Sequence, residues 1–61
     1  MKQIAIIIEG ESPLFLPYKP DLDDQDNLRV AASQKFYVID NEIHVLPSGR
    51  HITFRIVERG E

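Results

Sequence analysis

The sequence predicts a mainly β fold, and three stretches of the chain carry that prediction. A β-branched run over residues 2–9 ends at Gly10 and is too short for a typical helix. Two further β-rich runs, over 35–46 and 51–57, flank turn-forming residues at Pro47–Arg50. We therefore expect an N-terminal strand and a C-terminal three-stranded antiparallel meander. They would form a compact sheet or small barrel with at most one short helix.

The register of the second predicted hairpin follows from its side-chain alternation. A turn at Pro47–Arg50 places His44 opposite Thr53 and Glu42 opposite Arg55. One face of the meander then collects the side chains that we expect in the core. These are Phe36, Val38, Ile43, Val45, Ile52, Phe54 and Ile56.

The opposite face of the predicted meander is too apolar for an ordinary solvated sheet surface. The first hairpin is expected to turn within residues 40–42, at Asp40-Asn41 or at Asn41-Glu42. The face in question then carries Tyr37, Ile39, Leu46 and Val57. We predict that it is an association surface, with Tyr37 as the anchor because aromatic side chains dominate interface energetics.

Residues 12–20 contain three prolines, which remove backbone donors and favour extended geometry. The segment is expected to be an extended edge strand or a polyproline-like loop. Within it, Phe15 is a candidate contact for a protein partner. The alternative is that Phe15, with Leu14 and Leu16, covers an open end of the core.

The acidic run at 21–27 does not have the spacing of a calcium-binding loop. Counted from its first residue, the sixth position is Asp26 instead of glycine and the twelfth is Ala32 instead of a carboxylate. A solvated loop or a helix N-terminus is expected instead. Residues 27–34 predict a short helix, with a strand as the alternative, capped by Asp26 or Asn27.

Length and composition limit the ways in which this fold can be stabilised. The chain has 61 residues, a formal net charge of −3 and no cysteine. We expect a single small domain over residues 1–61, without disulfides or thiolate metal sites. A chain of this size buries only about 60% of its unfolded surface. Association with a second copy or with another protein is therefore the expected source of additional stability.

The sequence contains no pattern typical of a catalytic, metal or cofactor site. The only histidines are His44 and His51, and no third group is positioned by the pattern to orient either imidazole. We predict no enzyme, no cofactor and no metal. The apolar run at 4–8 is too short for a signal-peptide core or a membrane span, so a cytoplasmic protein is expected.

The expected function is non-catalytic and depends on protein association. The protein would form a homo-oligomer, or regulate or inhibit a larger protein partner. The alternative is a small β-barrel that binds nucleic acid, since such barrels combine basic and aromatic side chains. The side chains available for that purpose are Lys35, Tyr37, Arg50, His51 and Arg55. The acidic net charge opposes phosphate contacts.

Overall fold

The computed structural model describes residues 1–60 and shows the mainly β fold that the sequence predicts. The strands are β1 (Lys2–Ile8), β2 (Leu14–Pro17), β3 (Phe36–Ile39), β4 (Glu42–Val45) and β5 (Ile52–Glu58), and the helix α1 is Asp24–Ser33. One antiparallel sheet has the strand order β2-β1-β5, and β3 and β4 form a separate two-stranded hairpin. The prolines at 12–20 thus accompany an edge strand, as predicted.

Strand β1 is the central strand, and its isoleucines form the centre of the core. Ile4, Ile6 and Ile8 are all less than 5% exposed. Opposite them on β5 are Ile56, Phe54 and Ile52, and β2 contributes Leu16 and Leu14 on the other side. Directly opposite residues of antiparallel strands point to the same face. The three strands therefore present one continuous apolar face to the helix and the hairpin.

The predicted pairing of β4 with β5 is wrong, because β5 pairs with β1. Thr53 lies opposite Ile7, and His44 lies opposite Tyr37 on β3. Arg55 lies opposite Ala5, so the predicted pair with a glutamate of β4 is also absent within residues 1–60. Pairing with β1 aligns three apolar rungs in the core, whereas a meander would leave one edge of the isoleucine strand unpaired.

Residues 47–50 do turn the chain, but the strand that follows them, β5, lies beside β1 and not beside β4. Gly49 has a φ of +81°, a conformation that glycine adopts without a steric penalty. The Arg50 guanidinium is 2.7 Å from a carboxylate oxygen of Glu11. The backbone N–H of Glu9 donates to the carbonyl of His51 at 3.0 Å. These contacts hold the connection beside the loop between β1 and β2.

The helix predicted at 27–34 is present, but it starts earlier and has a different cap. Asp23 is the N-cap, and its side chain accepts a hydrogen bond from the backbone N–H of Asp26 at 2.8 Å. Asn27 is not available as a cap because its side chain points into the protein, where the residue is 1% exposed. The acidic run therefore forms the loop and first turn of α1, where negative charge suits the helix dipole.

The Asn27 side chain joins α1 to the loop that precedes it. Its Oδ1 accepts from the backbone N–H of Lys19 at 2.8 Å. Its Nδ2 donates to the carbonyls of Lys19 at 3.0 Å, Leu22 at 3.2 Å and Asp23 at 2.9 Å. One N–H must be shared, since the amide has only two hydrogens. One buried side chain thus forms hydrogen bonds with four backbone groups of an irregular loop.

Tyr18 provides a titration test of the contact between this loop and the first turn of α1. Its hydroxyl donates to Asp24 Oδ1 at 2.6 Å, and this bond raises the pKa of Tyr18 to about 12 from 10.0, with desolvation adding to it. Because the pKa of Tyr18 is raised in the folded protein, its bond to Asp24 stabilises the fold fully below pH 10.0. This contribution to the free energy of unfolding is lost as the pH rises toward about 12. We expect phenolate absorbance to show Tyr18 titrating near the upper value.

The matched variants identify the signal, because the chain has only two tyrosines. Tyr18→Phe should remove that titration step and leave Tyr37, whose pKa is raised by burial. Asp24→Asn should shift the pKa of Tyr18 down toward its ordinary value. A wild-type Tyr18 that titrates at the ordinary value would show that the bond to Asp24 does not persist in solution.

Candidate association surface

The β3–β4 hairpin turns at Asp40 and Asn41, one of the two predicted positions. These residues have φ values of +53° and +64°, and two consecutive positive φ values are typical of a type I′ turn. The strands are then in register so that four apolar side chains share one face, as the alternation predicts. This outer face, as we call it, consists of two cross-strand pairs, Phe36 with Val45 and Val38 with Ile43.

The outer face is exposed, which corrects the prediction that these four residues lie in the core. Phe36 is 58% exposed and Val38 60%, and across the hairpin Ile43 is 69% and Val45 73% exposed. The other members of the predicted core face, on β5, are partly buried and pack against the core in the separate sheet. The predicted single face is therefore divided between two sheets.

The inner face of the hairpin takes the place in the core. Tyr37 is 3% exposed, and its hydroxyl donates to the carbonyl of Ala31 near the end of α1. Ile39 and Leu46 are partly buried against the same cluster. The surface predicted from these three residues is therefore core within this chain. The tyrosine explains the choice, since this orientation buries its ring and still gives its hydroxyl a hydrogen-bond partner.

The two remaining residues of the predicted association surface, Phe15 and Val57, lie elsewhere. Both are partly buried on the face of the three-stranded sheet that points away from the core. Phe15 lies opposite Ala5, and the guanidinium carbon of Arg59 is 4.0 Å from the centre of its ring. The five predicted residues are thus not brought together.

An apolar groove runs from the helix to the outer face. A cavity of about 190 Å³ is lined by residues of β1, β2 and α1, including Leu16 and Val30, and by Gln34, which follows the helix. An adjoining cavity of about 380 Å³ shares Leu16 and Gln34 with it and is also lined by Phe36 and Val38. The outer face is therefore continuous with a second apolar surface.

Opposite charges mark the two ends of the hairpin. Asp40 and Glu42 lie at the turn, and Lys35 lies at the open end, where its carbonyl accepts from the N–H of Leu46 at 3.0 Å. The Glu42 carboxylate is 3.8 Å from His44 Nε2. Among residues 1–60, neither Lys35 nor Asp40 takes part in an ion pair. The hairpin thus has an acidic tip, at its turn, and a basic open end, which we call its base.

Sequence alternation grouped the four outer-face residues correctly but assigned them to the core instead of the exposed surface.

Comparison with protein-family models, with curated proteins and with solved structures finds no match to this chain. Across residues 1–60, no group of three or more potential metal ligands of the His, Cys, Asp and Glu types occurs. In the same part of the chain, no helix has the length and apolar character needed to cross a membrane.

Proposed function

We propose that this protein acts without catalysis, by binding a protein surface through the outer face of the β3–β4 hairpin. The observation that carries the proposal is the exposure of four large apolar side chains on adjacent rungs. With ~150 to 200 Å² per large apolar residue, their exposed fractions leave roughly 400 to 500 Å² of contiguous apolar surface. The largest apolar patch on a soluble monomer is typically about 300 to 600 Å² and is often functional.

The size of the patch limits the chemistry of the partner. Covering the outer face alone would contribute roughly 10 kcal/mol at ~25 cal/mol/Å². Association costs about 4 to 15 kcal/mol in lost translational and rotational freedom. The free energy gained by apolar burial can exceed that cost only if the partner brings a comparable apolar area of its own. The proposed ligand is therefore an apolar protein surface, either on a second copy or on a larger protein that this chain regulates or inhibits.

The positions of the basic side chains favour protein association over nucleic-acid binding. Lys2 is 3.4 Å from Asp24, and Arg50 is 2.7 Å from its carboxylate partner in the loop after β1. Arg29 is 3.4 Å from Asp26. These three cations are distributed over the surface and paired with carboxylates, and Lys35, which adjoins the exposed Phe36, is a single charge and does not form a basic cluster. We place the association in the cytoplasm, on the sequence argument given above.

The proposal predicts that Ile43→Glu abolishes association while the protein stays folded. Ile43 is 69% exposed, so a charge there is solvated in the free protein but buried without a partner in a complex. We expect binding to weaken by at least a hundredfold, since an uncompensated buried charge costs about 3 to 5 kcal/mol. The measurement is sedimentation velocity of the purified protein, alongside capture from a lysate of the source cell.

The matched control is Ala32→Glu, which adds the same charge at an exposed position of α1 outside the outer face. This variant should associate like the wild type, and circular dichroism should show both variants folded. If Ile43→Glu retains every complex that the wild type and Ala32→Glu form, the outer face is not the binding surface.

A further inference from the structure

We infer that the occupant of the outer face is a second copy of this chain, packed face to face with the two hairpins antiparallel. The inference rests on the proposed function and specifies its partner. A two-fold axis would lie between the faces, perpendicular to the strands, at the level of Tyr37 and His44. Each apolar rung of one copy then covers a different rung of the other copy.

The charges at the ends of the hairpin carry the orientation. Lys35 lies two residues from the proposed axis and Asp40 three residues, which is ~7 Å and ~10 Å at ~3.3 Å per residue. The antiparallel arrangement therefore brings the basic base of each hairpin near the acidic tip of the other, twice per dimer. The side chains of Lys35 and Glu42 alternate with those of the outer face, so these charges act through the electric field at the ends of the interface and form no ion pairs inside it. Parallel hairpins would instead bring two acidic tips together and two lysines together.

The side chains of the two rungs also complement each other in this orientation. The rung of Phe36 and Val45 of one copy lies over the rung of Val38 and Ile43 of the second copy. Each aromatic ring then packs on aliphatic side chains, as faces of stacked sheets do at ~10 Å separation. Both rungs of both copies are covered once, and no exposed rung remains.

The apolar area matches what a stable dimer needs. Two outer faces contribute roughly 800 to 1,000 Å² of apolar surface when each contributes the area of one patch. A standard interface buries about 1,600 Å², of which about 57% is apolar, or ~900 Å². The charged hairpin ends and the groove beside Phe36 would supply the polar and peripheral remainder.

Charge reversal at the hairpin ends tests the arrangement by sedimentation equilibrium at low ionic strength. Lys35→Glu should weaken the dimer about tenfold, since the attraction between oppositely charged hairpin ends becomes repulsion at both ends of the interface. Glu42→Lys should weaken it similarly. The double variant Lys35→Glu, Glu42→Lys should recover the wild-type affinity, and an equimolar mixture of the two single variants should form heterodimers.

Arg55→Glu is the control, because it makes the same charge change on an exposed residue of the other sheet. It should leave the dimer unchanged. Equal weakening by the single and double variants would overturn the antiparallel arrangement. A chain that stays monomeric at high concentration, but loses a different protein partner on Ile43→Glu, would overturn the second copy and leave the proposed function standing. A dimer that is insensitive to Ile43→Glu would contradict both.

Discussion

Asn27→Ala is expected to remove about half or more of the free energy of unfolding of the protein. The substitution removes four hydrogen bonds to backbone groups between Lys19 and Asp23. The N–H of Lys19 loses its partner, at a cost of about 1 to 3 kcal/mol. The three carbonyls each keep one other donor, so their lost bonds cost about 0.5 to 1.5 kcal/mol each, and the sum after partial rehydration is ~3 to 5 kcal/mol. A domain of this length has a total stability of about 3 to 9 kcal/mol at 0.05 to 0.15 kcal/mol per residue.

Asn27→Asp separates hydrogen bonding from side-chain volume. The carboxylate can still accept from Lys19 N–H, but it donates nothing and places a negative charge beside three carbonyl oxygens. We expect a loss at least as large as that of Asn27→Ala. Gln25→Ala, at an exposed position of the same helix, should stay within about 0.5 kcal/mol of the wild type.

Urea unfolding followed by circular dichroism measures all three variants. If Asn27→Ala and Gln25→Ala unfold at the same urea concentration, the network around Asn27 contributes nothing to stability.

Ile6→Ala is the second substitution with a large expected effect. Ile6 is fully buried at the centre of β1, between Leu14 on β2 and Phe54 on β5. Removal of its side chain leaves a cavity that three paired strands cannot close, at a cost of about 2 to 5 kcal/mol. Against a total stability of about 3 to 9 kcal/mol, we expect Ile6→Ala to remove about half of the free energy of unfolding.

Two isoleucines elsewhere in the chain provide graded controls. Ile7→Ala, on the partly covered opposite face of β1, should cost less than Ile6→Ala. Ile43→Ala, on the exposed outer face, should change the stability of the monomer by no more than about 0.5 kcal/mol. The order of the three urea midpoints is the test. An equal loss for Ile43→Ala and Ile6→Ala would contradict the assignment of the outer face as exposed.

Local chemistry in the sequence determined most of the individual elements. The short β-branched run predicted a strand, and its apolar residues on both faces indicated that both faces are covered. The prolines of 12–20 restricted the next segment to an edge, and Asp40-Asn41 supplied the turn of the first hairpin. Strand alternation also determined which four residues form the outer face, because a period of two is a property of the backbone.

Tertiary structure decided which strands pair and which face is buried. Val45 and Ile52 suit each other across a hairpin as well as Ile8 suits Ile52 across the sheet, so local pattern could not separate the two pairings. The isoleucine strand needed a second neighbour, and β5 filled that place.

The direction of the hairpin was equally open, since both of its faces are apolar. Tyr37 settled it through a contact that no local pattern contains, the bond from its hydroxyl to the carbonyl of Ala31. Only the packed chain brings that helix carbonyl within reach, because α1 and β3 are joined by a short connection whose geometry depends on the core beneath them. The outer face became the candidate site as a consequence of burying the tyrosine.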